Sequence, residues 1–191
     1  MNYLPWGAGP CPARPFLFSR FPGRALASIA AACVVLLVAG QARADFADGL
    51  AAYDGGDYYA AYLAWLPLAR TGDGDARAAI ADLYLSELLV QPAGANERRR
   101  IQNSAAWWYR EAARCGHVVA QLNLGELYST GTGVARDPVE AYMWLGLAAR
   151  AGNRWAADYQ QRIAPEMTPA QRREAVARLE SWAVSPDCMS D

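Results

Sequence analysis

The sequence predicts an all-α protein of stacked antiparallel helix pairs, and three observations carry that expectation. The segments AYLAWLPLARTGDGDA (61–76), AAWWYREAARCGHVVA (105–120) and AYMWLGLAARAGNRWA (141–156) align without gaps, with alanine at the first, ninth and sixteenth places and glycine at the twelfth. Their spacings of 44 and 36 residues are the period of a helical-repeat array. A second register, Ala76-x-x-x-Ile80-Ala81-Asp82-Leu83-Tyr84 against Ala120-x-x-x-Leu124-Gly125-Glu126-Leu127-Tyr128, follows the first, so the unit is two helices long. Alanine and glycine at recurring places let helices approach closely, while Leu, Trp and Tyr at i, i+3, i+4 and i+7 fill the space between successive pairs.

In chain order, residues 1–44 read as a secretory leader. Arg14, Arg20 and Arg24 precede an uncharged apolar run from Ala25 to Gly40, and Ala42-Arg43-Ala44 supplies small residues for cleavage before Asp45. The run has 16 residues, short of the roughly 20 that a spanning helix needs. Cys33 lacks the leucine three residues earlier that a lipid-anchor signal would show. Helices are expected near 46–54, 57–71, 75–89, 102–115, 118–129, 137–151, 154–164 and 169–183. Pro67 interrupts the second and is expected to kink it. Gly72, Gly116 and Gly152 end the second helix of each unit, where a left-handed residue is needed. The stretch 85–104, LSELLVQPAGANERRRIQNS, reads as a loop eight residues longer than its counterpart 129–140, which accounts for the unequal spacing. Gly131 and Gly133 break the chain between two helices, Asp137-Pro138 restarts it with an N-cap and a first-turn proline, and Thr168-Pro169 opens the last helix in the same way.

Those glycines also pose a chemical question, because LNLGELYSTGTGV (122–134) is rich enough in Gly, Ser and Thr to read as a phosphate cradle. A P-loop needs a lysine in GxxxxGK[ST], and a dinucleotide fingerprint needs a strand before its glycines and a helix after them. The chain has no lysine, and its glycines follow a helix. The repeat context makes the segment a turn.

At these residues the chain resembles a known family. LGELYSTGTGVARDPVEAYMWLGLAARAGNRWA (124–156) is similar to the Sel-one-like repeat (SLR), a relative of the tetratricopeptide repeat, through Leu124, Gly125, Tyr128, Gly131, Gly133, Val134, Asp137, Ala141, Trp144, Ala148, Ala149, Gly152 and Ala156. Residues 46–76 look like the family's N-terminal unit and 167–182 like its closing helix; Ala81 departs from the pattern by replacing a glycine. The resemblance implies a right-handed α-solenoid over 45–184, with units 45–72, 73–116 and 117–152, closing helices 153–184 and a tail at 185–191. It also implies an adaptor that assembles protein complexes. An envelope hydrolase acting on cell-wall material, or a structural partner of a polysaccharide or secretion apparatus, are the alternatives.

All 19 acids but only 14 of the 18 basic residues lie beyond residue 44, giving the exported part a net charge of −5, which does not point to nucleic acid. A chain of this size buries about 68–70% of its unfolded surface, so neither metal nor several disulfides are needed for folding. Cys115 and Cys188 would meet an oxidising compartment after export; a bridge and a free or intermolecular Cys188 both stay open. His117 is the sole histidine and follows the helix-ending Gly116, with no ligand-like spacing of Cys, Asp or Glu around it. No catalytic residue, cofactor or metal is expected. Asp73, Asp75 and Asp82 read as a capping turn and a solvated helix face. The aromatic set Tyr62, Trp65, Trp107, Trp108, Tyr109, Tyr142 and Trp144 reads as packing, with Trp107 or Trp108 exposed, because adjacent helix positions point about 100° apart.

The candidate contacts for a protein or peptide partner are the polar residues between recurring apolar ones on the first helices, Arg77, Asp82, Gln121, Asn123, Glu126, Arg154 and Asp158. Arg98, Arg99 and Arg100 in the long loop are candidates for an anionic partner.

Overall fold

The structure is a computed structural model that describes residues 45–88, 91–92, 94–185 and 188; the predicted leader and its cleavage site lie outside the described residues. Among those residues the chain forms eight α-helices, α1 (Phe46–Asp54), α2 (Tyr58–Arg70), α3 (Gly74–Leu85), α4 (Ala95–Arg114), α5 (Val118–Thr130), α6 (Pro138–Arg150), α7 (Arg154–Ile163) and α8 (Pro169–Ser181). A 3-10 turn, Ala164–Glu166, joins the last two. The helix α1 packs on α2, α3 on α4 and α5 on α6, while α2 with α3, α4 with α5 and α6 with α7 join the pairs. Rather than extending the stack beyond α7, α8 turns back onto α6.

Local sequence explains the boundaries. Side chains of Asp45, Asp57, Asp73, His117, Asp137, Asn153 and Thr168 each accept a backbone N–H of the helix they precede, satisfying donors that have no partner inside the helix. Gly72, Gly116 and Gly152 have φ of 107°, 86° and 93°, as the three aligned glycines require. Pro67 does not stop α2, which continues to Arg70. The carbonyl left without its usual donor belongs to Leu63, which is exposed to solvent.

The aligned alanines form the helix crossings. Ala61, Ala105, Ala141, Ala76, Ala120 and Ala156 are fully buried, and so in effect are Ala69 and Ala113. Ala149 is only half-buried, and its neighbour Ala148 occupies the core instead. Two glycines in first helices also stand at close crossings. A Cβ on Gly49 would lie 2.2 Å from Nε1 of Trp65, and one on Gly125 would lie 2.7 Å from Cγ of Leu145. Ala81 holds the corresponding place in α3 and shares a core cluster with Tyr109, which stands where Trp65 and Leu145 stand in the neighbouring pairs. Ala120→Leu is therefore expected to overpack its crossing and to cost about 1–3 kcal/mol; an unchanged denaturation midpoint would contradict the alignment.

The long insert is where expectation and structure part. The helix α3 ends at Leu85 rather than 89, with Ser86 as its C-cap and Glu87 in the left-handed region at φ 56°. The helix α4 begins at Ala95, so half of the predicted loop is nearly three turns of helix carrying Arg98, Arg99 and Arg100. Gly94 provides no side-chain cap there, which removes the usual sequence marker of a helix start. Ile101 is buried and anchors the added turns.

The cysteines are bridged: Cys115, the C-cap of α4, is bonded to Cys188. The tail approaches through Val184, which lies against Gly116, and through Ser185, whose N–H donates to the Arg114 carbonyl (3.0 Å).

Candidate functional site

Two of the candidate contact residues prove to be internal braces. Arg77 Nε donates to the Ala69 carbonyl (2.9 Å) and Nη1 to the Glu111 carbonyl (3.2 Å), with Cys115 Sγ 3.3 Å away. Gln121, 44 residues on, is buried and donates from Nε2 to the Ala113 carbonyl (3.2 Å). Both reach back eight residues to the last turn of the preceding helix, whose carbonyls lack intrahelical donors. The guanidinium also complements the negative end of the α2 and α4 dipoles. The next equivalent position is Ala157, which has no side-chain donor. The sequence signal was legible: a long donor in the first turn after the glycine, at the same place in two units.

Asp82, Asn123 and Glu126 remain on the first-helix side, grouped around the end of Tyr109. The Tyr109 hydroxyl, reaching out from α4 between α3 and α5, donates to Asp82 Oδ1 and is hydrogen-bonded to Asn123. Burial, and then the neighbouring Asp82 charge, push the phenol far above its ordinary range, so it stays a neutral donor. Desolvation beside that ring raises the Asp82 carboxyl above its usual value, opposed by the Tyr109 hydrogen bond and by His117. A carboxyl that binds its proton more tightly when folded contributes stability that is complete below the unfolded value, about 3.9, and is lost as pH rises through the folded value. Asp82→Asn, which keeps an acceptor for Tyr109 but cannot ionise, is expected to gain on the wild type as pH is raised from about 4 to 7. Parallel urea titrations of the two proteins across that range check this, and a pH-independent difference would contradict it.

Arg154 and Asp158 lie exposed on α7, on the side of Trp155, the most exposed large apolar residue described (79%). They stand more than a helix away in sequence from the Asp82–Tyr109–Asn123 group. An open hollow of about 450 Å³ there is lined by Trp155, Asp158, Gln161 and Arg162. Of the three consecutive arginines, Arg98 pairs with Glu87 (3.0 Å) and Arg99 donates to Asn96 (3.1 Å), and all three are exposed on α4.

His117 is a cap. Its Nδ1 accepts the Ala120 N–H (3.1 Å), so the proton sits on Nε2, which donates to Asp75 Oδ1 (2.8 Å). A histidine beside a carboxylate is half of a catalytic arrangement, but here no ring nitrogen is left to take a proton from a hydroxyl. No group of three or more His, Cys, Asp or Glu residues that could hold a metal occurs among the described residues. None of the described helices is long and apolar enough to cross a membrane.

The glycine-rich segment is a turn, as its context predicted. Gly131 is the left-handed C-cap of α5, and Gly133, at φ 67°, presses on the α4 backbone so closely that a Cβ would fall 2.1 Å from the Gln102 carbonyl oxygen.

The comparisons with known proteins agree with this architecture. The Sel1 repeat family model matches residues 102–117 and 118–153, from within α4 to the end of α6. Among solved structures, a protective antigen present in uropathogenic Escherichia coli strains and displaying an SLR fold superposes with a TM-score of 0.63 at 23% identity. The match covers 73% of this chain and 30% of that one, and it establishes the α-solenoid fold. No curated protein matches the chain. Repeat scaffolds of this kind commonly mediate protein–protein interaction and are typically non-catalytic.

Proposed function

We propose that this Sel1-repeat chain is an exported, non-catalytic scaffold that binds a protein or peptide partner on the inner, first-helix side of its solenoid. The observation that carries the reading is the group Asp82, Asn123 and Glu126, held around the Tyr109 hydroxyl across α3 and α5. Its polar neighbours Arg77 and Gln121 are committed to bracing the frame. Rigid elements present the group, and stacked pairs offer an extended surface for recognition. Export is supported by the leader-like residues 1–44 and by a disulfide, a bond that persists in oxidising compartments. His117 supports the non-catalytic reading, since both its ring nitrogens serve helix packing.

The test is affinity capture from extracts of the protein's source, comparing wild type with Asp82→Asn and Glu126→Ala. Glu126→Ala is expected to stay within about 0.5 kcal/mol of wild-type stability and Asp82→Asn to be at least as stable as the wild type near pH 7, while each loses a partner that the wild type retains. Undiminished capture by both variants would move the site elsewhere. Hydrolysis of cell-wall material that vanishes in a folded His117→Ala variant would replace the scaffold reading with an enzymatic one.

A further inference from the structure

One face of α4 is used neither by the core nor by the inner group. Arg99, Asn103, Trp107, Arg110 and Arg114 recur at intervals of four, four, three and four residues, which places them in one stripe along the helix. Trp107 points about 160° away from Tyr109, two residues on. In a chain whose formal net charge is −1, this stripe carries three arginines and no acid.

The partners of these residues are mostly neutral. Arg99 donates to the Asn96 amide oxygen, and Arg110 donates to the Tyr128 hydroxyl (3.1 Å) while its guanidinium lies over that ring. No carboxylate pairs with either among the described residues. Arg114 is bound to Glu111 and Ser185. Trp107 is 49% exposed, and its ring is held edge-on against Trp108 at 4.7 Å between centroids. A planar aromatic immobilised in this way, among arginines, is the composition of an interaction hot spot.

The turn that follows α5 shapes the ground beside the stripe. Gly133 rests on α4 at Gln102. On one side of that contact lies an open hollow of about 570 Å³ lined by Arg99, Gln102, Asn103 and Val134. On the other side a second hollow, about 580 Å³, is lined by Arg110, Arg114, Tyr128 and Trp144. The carboxylates bordering it are already engaged: Asp137 caps α6, and Glu140 accepts from Trp144 and Arg178.

From this placement we infer that the α4 stripe is a second docking surface, which takes an extended acidic segment of a protein partner. Four residues of helix advance about 6 Å, close to the roughly 6.6 Å between alternate side chains of an extended chain. Carboxylates at the first and seventh positions of such a segment, about 20 Å apart, therefore meet Arg99 and the Arg110–Arg114 pair, and an apolar side chain at the fifth position, on the same side, is seated against Trp107. From Arg99 to Arg114 the stripe is about 22 Å long, room for some seven extended residues. Guanidinium forks favour carboxylates through paired, charge-assisted hydrogen bonds. The surface is separate from the inner group, so either can fail without the other.

The probe is a fluorescein-labelled peptide of about eight residues with glutamate at its first and seventh positions, leucine at its fifth and serine elsewhere, compared by anisotropy with its glutamine-for-glutamate counterpart on the full protein. The acidic peptide is expected to bind about tenfold more tightly at low salt, with the advantage shrinking as salt is added. The double variant Arg99→Gln/Arg110→Gln and the single variant Trp107→Ala are each expected to weaken binding about fivefold or more. The double variant Arg172→Gln/Arg173→Gln, which removes an equal charge on α8, should leave it unchanged, and thermal unfolding confirms that each variant is folded. Equal binding of the two peptides, or undiminished affinity in folded stripe variants, overturns the inference. So does displacement of the peptide by polygalacturonate at lower concentrations than the unlabelled acidic peptide needs, which would assign the stripe to a polysaccharide.

Discussion

Gly133→Ala is expected to lower folding stability by about 2–5 kcal/mol, more than the same change at Gly131. Two costs combine. At φ 67° the residue lies in the left-handed region, where a side chain costs about 1–2 kcal/mol. Its added methyl would also fall 2.1 Å from the Gln102 carbonyl oxygen and 2.4 Å from its carbon. That neighbour is helix backbone, which cannot rotate aside as a side chain can, so the turn or α4 must shift at a cost typical of overpacking, about 1–3 kcal/mol. Gly131→Ala is the control: it has a similar φ, 79°, but an added Cβ would meet nothing nearer than 3.4 Å, so only the conformational cost of about 1–2 kcal/mol applies. Urea denaturation of the two variants separates the contributions, and equal losses would mean that the contact with α4 is not tight.

Cys188→Ser is expected to cost about 2–4 kcal/mol. The bridge joins residues 73 apart in sequence, and closing so long a loop restricts the unfolded chain substantially. The gain should fall at the lower end, because few contacts among the described residues hold the tail once the bridge is gone. They are the Ser185 N–H to the Arg114 carbonyl, the Arg114 side chain to Ser185 Oγ (3.3 Å), and Val184 against Gly116. Trp182, packed against the main core cluster, should remain in place. Thermal unfolding of the variant, and of the wild type with and without reductant, checks the prediction. A reductant effect on the wild type that is absent from the variant identifies this bond, whereas an unchanged midpoint in both contradicts the expected loss.

The repeat, the helix count and the helix ends were legible in the sequence because each rests on a local requirement. A left-handed residue at a helix end calls for glycine, as at Gly72, Gly116 and Gly152. An N-terminal donor calls for a short acceptor, as at Asp73, Asp137 and Thr168. A close crossing calls for alanine at a fixed period, as at Ala76, Ala120 and Ala156. None of these depends on knowing what lies across the structure. The start of α4 was missed for the same reason in reverse: Gly94 supplies no capping side chain, and the added turns are held by the distant packing of Ile101 and by the Gly133 turn on Gln102.

Which polar residues are left to bind anything was decided only by tertiary structure. Arg77 and Gln121 both read as surface polar positions on a first helix, yet the fold gives them to helix-end carbonyls and leaves Asp82, beside Tyr109, at the surface. The same holds for Cys115 and Cys188, whose pairing depends on where the tail crosses the end of α4. Side-chain type and spacing determine what a residue is able to donate or accept. The identity of its partner depends on neighbours tens of residues away, because a hydrogen bond or a disulfide is a short-range contact that only the assembled stack brings within reach.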